Sequence, residues 1–196
     1  MAHVIRASRV TRAWRIGLLL CVMAGLMGAI RGAWAGDDAT SLETRIKAAY
    51  LYKFSGYVEW PRPSSNDPTM PLQFGVMGDD ALADELARLV NNRGAGARSM
   101  TVTKIRPFDS LPPLHILFIG NSVSDRMSQF IRVARTRHVL VVTDTDGALA
   151  QDSMINFRVV DGHVRFDVDL ASAQRSGLVL SSRLLAVAHT VTTESP

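Results

Sequence analysis

Five aromatic side chains, Tyr50, Tyr52, Phe54, Tyr57 and Trp60, fall within eleven residues of one another. They are the densest set of groups in this chain able to grip a flat or amphiphilic molecule. Most of them should serve as core. Tyr57, Glu59 and Trp60 stand at the far end of the run, where an aromatic with a polar tip can meet a ligand or a partner protein. Asp144 and Arg165 are the polar groups that would stand beside Tyr57 and Trp60 if the ligand is amphiphilic.

Catalytic chemistry finds little support. Gly120-Asn121-Ser122-Val123-Ser124 resembles a nucleophile elbow, but Ser124 stands where the strained turn needs glycine, so Ser122 reads as a helix cap. Asp144-Thr145-Asp146-Gly147 suggests a calcium loop. Aligned on its glycine, that loop would carry Val142 and Ser153 at positions that require carboxylates, so a polar turn is the better reading. His115, His138, His163 and His189 are scattered and form no i, i+4 pair, so zinc has no sequence support. His115, inside an apolar run, reads as a core histidine. Asp79-Asp80 suits the start of a helix. There is no phosphate-binding glycine loop and no dinucleotide fingerprint. The expectation is therefore no catalytic residue, no cofactor and no metal.

The elements that must position these groups begin after a targeting segment. Arg6, Arg9, Arg12 and Arg15 precede an uncharged apolar stretch, Ile16 to Ile30, and Ala33-Trp34-Ala35 has the small-x-small form read by signal peptidase. This predicts an export signal over 1–35, cleaved after Ala35, and a periplasmic protein. An uncleaved anchor is the alternative, disfavoured because the apolar stretch falls short of about 20 residues. Cys21 follows Leu20, a poor lipidation context. The first 35 residues hold five of the 22 basic residues and none of the 18 acidic ones, so the remainder carries 17 against 18 and a net charge of −1. A basic footprint for nucleic acid is thereby lost. Cys21 is the only cysteine, so the remainder can form no internal disulfide.

After a leader over 36–42, Thr40-Ser41-Leu42-Glu43 matches a capping box. Leu42, Ile46, Ala49, Tyr50, Phe54, Tyr57 and Val58 then recur at helical spacing, and Pro61 and Pro63 close the helix. Pro61 to Pro71 reads as a surface loop. Strands are expected at Leu72–Met77, Met100–Ile105, Leu114–Ile119 and His138–Thr143, with helices at Asp80–Asn91 and from Asn121 or Ser122 to about Arg135. Asp161-Gly162 joins Met154–Val160 to His163–Val168 as a hairpin. Asp169 should cap a short helix through Arg175, and a last helix should run from Ser181 to Ala188. The prediction is one α/β domain over 43–190, a mixed sheet flanked by helices, followed by a loose tail over 191–196.

The run Lys47-Ala48-Ala49-Tyr50-Leu51-Tyr52-Lys53-Phe54-Ser55-Gly56-Tyr57-Val58-Glu59-Trp60-Pro61 resembles the YfiR-like family. Further pieces follow in order: Gly78-Asp79-Asp80, His115-Ile116-Leu117-Phe118-Ile119, Thr143-Asp144-Thr145-Asp146-Gly147, Met154-Ile155-Asn156-Phe157, and Gly177-Leu178-Val179-Leu180-Ser181-Ser182-Arg183-Leu184-Leu185. The resemblance covers about residues 43 to 188. It implies a periplasmic binding protein without catalytic residues. It also implies a homodimer that represses an inner-membrane diguanylate cyclase by binding its periplasmic segment, lowering cyclic di-GMP and biofilm formation. A periplasmic small-molecule sensor without a cyclase partner is the alternative. Better-known members carry cysteines that form disulfides. With none beyond Cys21, redox control does not transfer to this chain. Ala148 also stands where the family commonly has an aromatic.

Overall fold

The computed structural model describes residues 34–61, 71–92 and 98–193. The expected export signal lies outside the described residues apart from Trp34 and Ala35, and so do most of the loop after Pro61, the turn after Asn92 and the end of the expected tail.

Helix α1 (Trp34–Phe54) is followed by a two-residue strand, β1 (Val58–Glu59). Three features of the sequence expectation change here. The helix starts before Thr40, so Thr40 to Glu43 lie inside it and cap nothing. It ends at Phe54, short of the prolines. The Ser55 hydroxyl donates to the Tyr52 carbonyl (2.6 Å), and the Gly56 and Tyr57 amides turn back to Lys53 and Phe54 (3.0 and 2.9 Å). Such local bonding competes with helix continuation. The released chain then pairs as β1 with the distant strand β8 (Val179–Leu180), Val58 opposite Leu180 and Glu59 opposite Val179. Lastly, the buried stripe is Lys47, Ala48, Leu51 and Phe54, whereas Leu42 is 54% exposed.

The following elements are β2 (Leu72–Met77), α2 (Asp80–Asn91), β3 (Met100–Ile105), β4 (Ile116–Ile119), a 3-10 segment over Asn121–Arg126, α3 (Met127–Thr136) and β5 (Leu140–Thr143). A further 3-10 turn, Leu149–Gln151, leads to β6 (Ile155–Val160) and β7 (His163–Asp169). The chain continues through α4 (Leu170–Arg175), β8, α5 (Ser182–Leu185) and β9 (Thr190–Thr192). Asp79 caps α2 by accepting the Leu82 amide (2.9 Å), and Asp169 caps α4 by accepting the Ser172 amide (2.8 Å). Asp161 and Gly162, both at positive φ (51° and 73°), make the tight hairpin turn that alternating patterns on either side foretell.

Seven strands form one mixed sheet in the order β3-β2-β4-β5-β6-β7-β9. The five from β3 to β6 are parallel, β7 runs antiparallel to β6, and β9 is parallel to β7. The apolar runs of β4 and β5 are buried at every position because helices cover both faces. On one face Phe74, Val76, Phe118 and Val142 pack with α1 and with Leu82, Leu86 and Val90 of α2. On the other, Leu117, Ile119 and Val141 pack with Met127, Phe130, Ile131 and Ala134 of α3. The result is the single α/β domain with a mixed sheet expected from the sequence. Its last part differs in detail. The final helix stops at Leu185, and residues expected to be a loose tail form β9, whose lead-in is fixed by the His189 amide donating to the Phe166 carbonyl (2.8 Å).

Candidate functional site

In a parallel sheet of this order, ligands usually enter beyond the carboxyl ends of the strands where the strand order reverses, here between β2 and β4. That crevice is filled. Gly78, at φ +80°, turns the chain after β2, and the Ser122 hydroxyl donates to its carbonyl (2.6 Å). A Cβ at Gly78 would lie 2.7 Å from Ser122 Oγ and 2.9 Å from Val123 Cγ2, and one at Gly120 would lie 3.0 Å from the Gly78 carbonyl oxygen. The two loops therefore close on each other. Ser122 is a strut between them rather than the helix cap the sequence suggests, since no side chain caps the 3-10 segment.

The amide of Asn121, at the start of that segment, donates to Asp144 Oδ1 (2.8 Å). An internal carboxylate thus occupies the place where a bound anion would meet a helix start. The other oxygen of Asp144 accepts from Lys47 Nζ (2.8 Å), which also pairs with Glu43 one turn earlier (2.7 Å). The Lys47 side chain is only 10% exposed. Burial, the largest single influence, pulls its pKa down. The hydrogen bonds to Asp144 and Glu43 and their negative charge outweigh it, leaving the pKa above the ordinary lysine value. Asp144 is therefore a clamp between α1 and the carboxyl end of β5.

The opposite end of the sheet carries a cleft among the described residues. This cleft, of about 440 Å³, is lined by Tyr52, Lys53, Ser55, Gly56 and Tyr57 from the end of α1, by Leu72 at the start of β2, and by Arg98 and Met100 at the start of β3. Parallel pairing sets its floor, since Leu72 and Met100 are register partners. Tyr57, 37% exposed, stands at the rim.

Trp60 is 6% exposed and donates its indole N–H to the His115 carbonyl (3.2 Å). It meets the His115 ring edge to face, 5.6 Å between centroids. This corrects the expectation of an accessible tryptophan: ending α1 at Phe54 lets the chain turn inward. His115 Nδ1 accepts the Gln73 amide (3.1 Å). Desolvation first, then the positive charge of Arg98, push the His115 pKa below the ordinary histidine value.

The remaining candidates are dispersed. Glu59 is exposed on β1 opposite Val179, itself 58% exposed. Arg165 is exposed on β7 opposite Arg158, on the side of the strand away from Phe166. Neither Trp60, Asp144 nor Arg165 lines the cleft with Tyr57. Tyr50 and Phe54 pack with Phe157 and Phe166 at 5.1–6.0 Å, which is the core role foreseen for most of the aromatic run. Sequence reasoning missed Lys47, Lys53 and Arg98. Only Lys47 left a sign, its i, i+4 spacing from Glu43; Arg98 comes to the same cleft as Lys53 because β3, which follows it, pairs with β2, and that leaves no local pattern.

Among the described residues no group of three or more His, Cys, Asp or Glu is placed to hold a metal ion, and no helix is long and apolar enough to cross a membrane. A family model described as YfiR/HmsC-like matches residues 44–189, which takes in all of the main sheet except β9. No curated protein matches the chain.

Proposed function

Because the chain belongs to the YfiR/HmsC-like family, we propose that it is a periplasmic regulatory binding protein, not an enzyme. It represses an inner-membrane diguanylate cyclase by binding the cyclase's periplasmic segment, and so lowers cyclic di-GMP and biofilm formation. The family match over 44–189 carries this reading. The export signal read at 1–35 and the filled crevice at the carboxyl end of the sheet support it. Tyr57 and Glu59, with Val179 opposite Glu59, supply a mixed apolar and charged surface for the partner. The working form is a homodimer.

The mechanism is a population shift. A repressor that binds the inactive cyclase better than the active one moves the equilibrium only by that difference in affinity, about 1.4 kcal/mol for each tenfold. The test is crosslinked affinity capture of the tagged protein from its source cells, with mass spectrometry of the captured proteins. The expected result is an inner-membrane protein with a periplasmic segment and a cytoplasmic cyclase domain, lost from a Tyr57→Ala, Glu59→Lys variant that still folds. Capture without any such membrane protein would overturn the cyclase reading.

The cleft beside Tyr57 favours a second reading, a periplasmic sensor of a small molecule. Its volume falls within the range of small-ligand sites, about 300–1,000 Å³.

A further inference from the structure

We infer that the cleft between the end of α1 and the starts of β2 and β3 binds a small anion with a flat apolar body, and that the anionic group is held by Lys53 and Arg98. This deepens the sensor reading and rests on it.

The argument starts from the charges. Among the described residues, two cationic side chains line the cleft and no acidic one does. Lys53 is exposed, and among the described residues it has no ion-pair partner. The charge of Arg98 is felt by His115, whose protonated form it disfavours. Positive charge at a cleft draws an entering anion.

The rest of the lining suits a ring. Tyr57 offers a flat face with an exposed polar tip, Tyr52 lines the cleft with its hydroxyl buried, and Leu72 and Met100 offer an apolar floor held rigid by strand pairing. A polarisable methionine beside tyrosines favours an aromatic body. Gly56 brings backbone to the cleft without a side chain to fill it.

Occupancy has a route to the partner surface. Tyr57 lines the cleft, and its carbonyl accepts the Ser181 amide (2.9 Å) next to the β1–β8 pair that carries Glu59 and Val179. A ligand that fixes Tyr57 therefore fixes the start of β1 as well.

The test is calorimetric titration of the purified protein with naphthalene-2-carboxylate, naphthalene-2-carboxamide and inorganic phosphate. The carboxylate should bind at least tenfold more tightly than the isosteric amide. Lys53→Gln should erase that preference and Lys53→Arg should restore it, with unchanged melting temperatures showing that both variants fold. Tyr57→Ala should weaken carboxylate and amide alike. Lys104→Gln, on β3 and paired with Asp84 outside the cleft, should change neither. Equal binding of carboxylate and amide would overturn the anion assignment and leave the sensor reading standing. Phosphate binding as tightly as the carboxylate would overturn the flat body. Absence of saturable binding by every probe would overturn both this inference and the sensor reading.

Discussion

Replacing Asp144 by alanine strands a buried cation, and the cost can be worked out from the structure. Lys47 would keep only Glu43, whose side chain is 38% exposed and correspondingly screened, and the Asn121 amide would lose its acceptor. Breaking a buried ion pair from one side costs about 3–5 kcal/mol. The remaining contact to Glu43 and the 15% exposure of Asp144 reduce this, and the Asn121 hydrogen bond adds about 0.5–1.5 kcal/mol. The expected loss is about 2–4 kcal/mol. Lys47→Met removes the cation and leaves Asp144, 15% exposed, with only the Asn121 amide, so it should cost about 1–3 kcal/mol. The double variant Lys47→Met, Asp144→Asn should recover at least half of the Asp144→Ala loss, because no charge is left buried alone. Urea denaturation at pH 7 with a common m-value measures all three. The sign of the pH dependence follows from the raised pKa of Lys47. Stabilisation from this group is complete below its unfolded value, about 10.4, and is lost as pH rises through the higher folded value. Lys47→Met should flatten that alkaline decline. An Asp144→Ala variant within 0.5 kcal/mol of the parent would refute the clamp.

Two further outcomes are expected. The His115 ring, followed by NMR, should titrate below about 6.5, and its contribution to stability should be present above that pH and fall away on acidification; a midpoint at or above 6.5 would show that it is not desolvated. Trp60→Ala should cost about 3–5 kcal/mol as a core truncation, whereas Tyr57→Ala should cost under about 1 kcal/mol; equal losses in thermal or urea melts would place both rings in the same environment.

Those two aromatics also show what could and could not be read from the chain. Elements whose signals are local were legible to within a residue or two: α2 with its Asp79 cap, the Asp161-Gly162 hairpin, the Asp169-capped α4 and the apolar runs of β4 and β5. The end of α1 was not. Helical spacing continues through Tyr57 and Val58, but pairing with β8 outweighs it, and that competitor lies at the other end of the domain. Trp60 was misplaced for the same reason, since its surroundings depend on the turn before β1. Asp144 was read as a ligand contact beside Tyr57, whereas it is an internal clamp whose partner Lys47 sits on a helix where a lysine ordinarily faces water. The short 3-10 entry before α3 was read as a side-chain cap because serine and asparagine favour caps. Here Ser122 bonds across to the neighbouring loop.

The pairing of β1 with β8 joins strands from opposite ends of the domain, and each strand is only two residues long. Neither can persist without the other, because a pair so short owes its existence to the packing of Val58 and Leu180 beneath it. The two ends should therefore open and close together: amide hydrogens around Tyr57 and Ser181 belong to one exchange unit despite their distance along the chain, and a nick or truncation near either end loosens both.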